Sequence, residues 1–290
     1  LQEIAIAAHD LILAQGAQAT AVSIGESRSV QTEWRKGELE RLQDKTHRSL
    51  GIEVYVDGRY AGFSTNDLRR DPLSKFLGQT VRMTRLLEPD PHRILPCPPA
   101  KESELPLDLY DQSIIDRHAS ARGEDMQALN EAVQTTLGDM DSVSYTTSLS
   151  DGWGRYFRLF STGFSEEAST SSFSKSATLS LKDAEGKLPL GWDGTYARHR
   201  EDLLKDEQLA RTMLERAQSQ LNATPITTDR YDIVVVNRSM GKLLGPVLSP
   251  MRGSSIQQGR SMWKDRLNDR IVSEKLTIWD EPHRVRALGS

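Results

Sequence analysis

Over the first fifteen residues, apolar side chains recur every three or four positions: Leu1, Ile4, Ala5, Ala8, Leu11 and Ile12. That spacing lines one face of a helix, which Gly16 stops. The period then falls to two. Residues 20–25 and 30–34 are predicted as strands, Lys36-Gly37 as a turn and residues 49–55 as a third strand. Asp57-Gly58 is a hairpin signal, because a tight primed turn needs left-handed backbone at both central positions. Residues 59–64 return as a fourth strand. A helix follows on Leu73, Phe76, Leu77, Val81, Leu86 and Leu87, capped by Asp67 or Asp71 with Pro72 in its first turn.

Six prolines between Pro89 and Pro106 mark an extended connector. Residues 111–137 are helical in pattern, with Gly123 as a candidate break. Period two resumes at residues 143–146, 156–160, 177–181 and 192–198, with turns expected at Asp151-Gly152, Gly163 and Glu185-Gly186. A polar helix is expected over 201–222, a buried strand over 231–236, a helix over 240–248 and a last strand over 275–280. Strands come in runs rather than alternating singly with helices, so the fold class is α+β. Antiparallel strand meanders with flanking helices are expected over 1–222, and the beginning of a second, β-rich domain over 223–290. The stretches 17–87 and 143–222 both place strands before a helix, a likeness too loose to count as a duplication.

The 290 residues carry a net charge of −4. That balance argues against a sequence-independent nucleic-acid binder, which needs a basic face. No apolar run approaches the ~20 residues of a membrane-spanning helix. Cys97 is the one cysteine. It cannot close an internal disulfide, which fits a reducing cytoplasm, and its flanking prolines and lack of a local histidine disfavour a nucleophile. The first residue is Leu1 rather than Met, so residues in front of it are expected.

Several stretches together resemble the TldD/PmbA family of peptidase-related proteins, also called modulators of DNA gyrase. They are Glu38-Leu39-Glu40, residues 50–56, Asp57-Gly58-Arg59 and the run from Gly62 to Leu68 (GFSTNDL). Tyr231 to Val236 resembles the strand that, in TldD-type members, leads to a helix bearing His-Glu-x-x-x-His. Leu243-Leu244 matches the apolar pair before that motif. The motif positions then fall on Gly245, Pro246 and Pro250. Histidines about one helical turn apart share a metal, and the glutamate serves as base on metal-bound water; glycine and proline do neither. Gly253-Ser254-Ser255, Trp263 and residues 276–282 extend the match. Family members run on well past residue 290.

The resemblance therefore implies the PmbA/TldE-like branch, with no catalytic or metal-binding residue and no cofactor in this chain. Zinc is expected in a TldD-like catalytic partner, as a heterodimer or higher assembly acting on peptides. Self-association, or a regulatory protein working through protein contacts, is the alternative. No nucleic acid or membrane partner is expected.

The remaining candidates read as structural. His9, His47, His92, His118, His199 and His283 form no local metal motif, and His9 is expected on a solvated helix face. Gly152-Trp153-Gly154 reads as a turn rather than a phosphate loop. Arg198, His199, Arg200, Lys205 and Arg211, mixed with acids, read as an ordinary helix surface.

Overall fold

Two tight turns start the architecture. Lys36 and Gly37 have φ of 51° and 84°, and Asp57 and Gly58 have 51° and 69°. These left-handed pairs close two-residue hairpins whose twist matches that of the flanking strands. In the computed structural model, which describes residues 1–97, 106–140 and 142–288, they join β1 (Ala19–Arg35), β2 (Glu38–Val56) and β3 (Arg59–Thr65). A second antiparallel meander comprises β4 (Ser144–Phe160), β5 (Ser165–Ser180) and β6 (Leu190–Ala197). β1 pairs with β4, giving one six-stranded sheet in the order β3-β2-β1-β4-β5-β6.

The helices α1 (Gln2–Ala14), α2 (Arg70–Thr84), α3 (Ala119–Leu137) and α4 (Asp206–Gln218) pack on this sheet. Even-numbered positions of β1 and β2 and odd-numbered positions of β4 and β5 point toward them. One apolar cluster joins Ala5, Ala8 and Ile12 of α1 and Leu73, Leu77 and Val81 of α2 to Val22, Ile24, Leu50, Ile52 and Val54, with Phe157 reaching in from β4. The other joins Leu129 and Val133 of α3 and Leu209, Ala210 and Met213 of α4 to Tyr145, Ala177 and Leu179. The opposite face of β4 and β5 is hydroxyl-rich, with Thr146, Ser148, Ser150, Ser174, Ser176 and Thr178, as antiparallel sheets allow on a side without helices.

The order helix, three strands, helix occurs twice, and the register of β1 on β2, up to the bulge at Glu33 and Trp34, repeats in β4 on β5. β1 and β4 are both 17 residues long. Adding 125 carries Ala19 to Ser144 and its partner Tyr55 to Ser180. Arg28 and Trp153 are equivalent under that shift and face each other across the central pair. They mark the point about which one half turns onto the other. The likeness of the two halves, loose in sequence, is close in strand order and in the register of their first two strands.

Several boundaries differ from the sequence reading for one reason. Residues 20–25 and 30–34 belong to a single strand, β2 begins at Glu38 rather than 49, and Asp151-Gly152 lies inside β4 instead of turning the chain. The interrupting residues are polar, and ion pairs take the place of apolar contacts there. Gly152 is needed for close pairing, since a Cβ on it would sit 2.8 Å from the Arg28 carbonyl oxygen. α3 runs through Gly123, and α4 is shorter than expected because residues 200–202 form a separate 3-10 turn.

The chain divides into two units, Leu1–Ala223 with the stretch from Glu281 on, and Thr224–Asp280. The second contains α5 (Asn237–Leu248) and α6 (Gly253–Gln257). Among its described residues no strand forms, so the strands expected at 231–236 and 275–280 are absent. A strand requires a hydrogen-bonding partner, and Ile233 and Val234 are 80% and 93% exposed instead.

Gly191 shows how closely helix and sheet approach. A Cβ there would lie 2.2 Å from the Met213 carbonyl oxygen and 2.5 Å from the Ala217 nitrogen, both on α4. Urea denaturation of Gly191→Ala is expected to show a loss of about 2–3 kcal/mol or more. Gly123→Ala, with open space around it in α3, is expected to gain about 0.5–1 kcal/mol.

Candidate functional site

The residues that the resemblance assigns to the motif positions lie at the end of α5. Gly245 and Pro246 are in its last turn, and Pro250 lies beyond it in the 3-10 turn Ser249–Met251. The helix continues through Pro246, whose missing N–H leaves out one donor, to the Lys242 carbonyl, close to the helix end. Trp263 Nε1 donates to the Val247 carbonyl at 2.8 Å, and Ser261 Oγ donates to that of Pro250 at 2.6 Å. From Asn237 to Arg260 there is no His, Cys, Asp or Glu. This donor set does not fit zinc.

The histidines are dispersed. Among the described residues no group of three or more His, Cys, Asp or Glu could hold a metal. His9 is not solvated as expected: its side chain is 14% exposed, with Nδ1 on Asp10. His199 is buried, with Nε2 2.9 Å from the Asp108 carbonyl oxygen. Its neighbours do not form an ordinary helix surface. Arg198 donates to the carbonyls of Ser171, Ala287 and Leu288, and Arg200 pairs with Asp125. Arg286 reaches Asp108 at 2.6 Å, Glu201 at 2.6 Å and Asp202 at 3.2 Å. These contacts span up to 178 positions, beyond any local sequence signal. Cys97 is exposed.

The densest charge chemistry lies where the two halves repeat. Glu26 on β1 and Asp151 on β4 are equivalent, and both are buried carboxylates, 6% exposed. Arg155 donates to Glu26 from Nε and Nη2 at 3.0 and 2.6 Å, and Arg48 from Nε at 2.7 Å. These bonds, Arg155's first and Arg48's second, hold the Glu26 carboxyl below its ordinary value although burial pushes the other way. Asp151 accepts from Arg117 Nε at 2.9 Å and from Arg122 Nε and Nη2 at 2.8 and 2.7 Å. Arg117 also bonds Asp125, which Arg200 closes from the other side. Burial pushes Asp125 up, and the Arg200 and Arg117 bonds outweigh it. A cleft of about 710 Å³ opens beside this network. The network carries no nucleophile–base pair, and its visible role is to tie α3 and the chain before it to the sheet.

Comparison with known proteins fits two modules of a metallopeptidase-related chain. Residues 21–83 match the model of PmbA/TldA metallopeptidase domain 1, and residues 228–290 that of the PmbA/TldA metallopeptidase C-terminal domain. The chain belongs to the PmbA/TldD family. It is 22% identical to the metalloprotease PmbA of Escherichia coli O157:H7 over 281 residues, covering 93% of this chain and 59% of that protein. A crystal structure from Bacteroides thetaiotaomicron of a candidate modulator of DNA gyrase is 31% identical, with a TM-score of 0.90 over 99% of this chain and 65% of that one. TldE from Thermococcus kodakarensis shares the fold, with a TM-score of 0.75 at 13% identity over 98% of this chain and 63% of that one. The chain thus spans less than two thirds of the length of these relatives. No helix among the described residues is long and apolar enough to cross a membrane.

Removing the Asp151 carboxylate leaves the largely covered Arg122 without its carboxylate and Arg117 with Asp125 alone, so Asp151→Ala is expected to lose about 3–5 kcal/mol in chemical denaturation. The Glu26 carboxyl titrates lower folded than unfolded. Its stabilisation is therefore complete above the ordinary value of 4.5 and is lost as pH falls below it. The stability gap between the native chain and Glu26→Gln is expected to be constant above that pH and to close on acidification.

Proposed function

We propose that this chain is a non-catalytic, PmbA/TldE-like subunit of a TldD/PmbA-type metallopeptidase assembly that processes peptides. The observation that carries the reading is the run from Asn237 to Arg260. At the motif positions it has Gly245, Pro246 and Pro250, and it offers no metal ligand or carboxylate base. The catalytic zinc belongs to a TldD-like partner bearing the intact motif, and no chemical step runs through a metal on this chain's own α5. Its contribution is scaffolding: a rigid sheet that completes a shared chamber in the cytoplasm. The name of the Bacteroides relative supports a second reading, a regulatory protein acting on a topoisomerase by protein contact. The net charge of −4 makes direct DNA binding a poor route for it.

Co-purification and peptide-cleavage assays separate the two. The chain alone, with zinc added, is expected not to cleave unfolded casein. Mixed with a TldD-type protein, it is expected to form a stable complex that does. Robust zinc-dependent cleavage by the isolated chain overturns the reading. Recovery of a topoisomerase without any peptidase partner favours the second.

A further inference from the structure

Glu26 and Asp151 are equivalent by register, yet their neighbours are not. Asp151 stands between Val30 on β1 and Phe173 on β5. Its arginines come from the chain around the start of α3 and are themselves largely covered, Arg117 at 11% and Arg122 at 13% exposure. Glu26 stands between Arg48 on β2 and Arg155 on β4, on one rung of the sheet. Those two side chains are 60% and 51% exposed. One half closes its carboxylate under arginines; the other holds its arginines up to solvent on a carboxylate.

The charge count differs as well. Glu26 neutralises one of its two guanidiniums, leaving a net charge of +1 on the trio. Each guanidinium carries five N–H donors in a planar fork. Glu26 engages an Nε and an Nη2 of each arginine, so further donors remain on both. Both arginines line a cleft of about 710 Å³ with Ile4 and Leu68 among its apolar lining and Arg69 at its rim. Arg69 is already held by Asp67. Besides Glu26, Asp67 lines the cleft itself, and Glu167 lines an adjoining depression with Arg155.

We propose that this cleft binds an organic carboxylate with an apolar body. Two guanidiniums fixed by a common buried anchor offer a pre-organised fork for a planar carboxylate. The single surplus positive charge matches a monoanion better than a phosphate dianion, and the apolar lining accepts the rest of the ligand. The inference stands on the cleft alone and does not depend on the peptidase reading. The acid is either a small free molecule or the C terminus of a polypeptide.

The test is titration of the isotopically labelled chain, following arginine Nε–Hε resonances, with N-acetylleucine, its amide, the tripeptide N-acetyl-Leu-Leu-Leu and inorganic phosphate. The acids are expected to shift the Arg48 and Arg155 signals, and the amide and phosphate to leave them in place. Tighter binding of the tripeptide assigns a polypeptide terminus, and equal binding a small acid; both support the site. Arg155→Gln and Arg48→Gln are each expected to weaken acid binding roughly tenfold or more. Arg155→Lys keeps the charge, guards against misfolding and is expected to weaken it less. Equal response to acid and amide, displacement by phosphate, or no response to any acid at millimolar concentration overturns the proposal.

Discussion

The antiparallel pairing of β1 with β4 is the contact on which everything else rests. It runs from Ala21 opposite Phe160 to Arg35 opposite Thr146, and it is the only strand pairing between the two meanders among the described residues. Without it each meander would end in a bare hydrogen-bonding edge. It also places Phe157 of the second half in the apolar cluster of the first. Main-chain hydrogen bonds and side-chain packing thus join the halves along the same strip.

At the middle of that strip the strands carry charge rather than hydrocarbon. Glu26 meets Arg48 and Arg155, and Asp151 meets Arg117 and Arg122. Buried ion pairs contribute little net stability when set against apolar replacements. They do penalise error. A slip of one residue would swing Glu26 to the hydroxyl-rich face and strand its arginines, because successive side chains point to opposite sides. Such pairs act on register.

The same chemistry explains how much could be read from sequence. Helix faces such as Ala5–Ala8–Ile12 and the turns Lys36-Gly37 and Asp57-Gly58 were legible because they depend on local spacing and backbone preference. The length of β1, β2 and β4 was not, since Glu26 to Ser29 and Asp151-Gly152 look like interruptions until partners up to 129 positions away are known. The run Tyr231 to Val236 failed in the other direction: it has strand composition, but composition supplies no partner. The assignment of Gly245, Pro246 and Pro250 to the motif positions rests on resemblance alone. The paired arginines of Glu26 and the Arg286 contacts carried no local signal at all.

The repeat about Arg28 and Trp153 has a consequence for how the halves find each other. The contact resembles one that two identical copies would make across a dyad, but here a single chain makes it. Joining two binding surfaces on one chain turns association into an intramolecular step at a fixed effective concentration. The central pairing therefore does not weaken on dilution, as a dimer contact would. Freed from having to match its own copy, each half can hold different residues at equivalent places, which is how one buried carboxylate came to lie beneath closed arginines and the other beneath open ones.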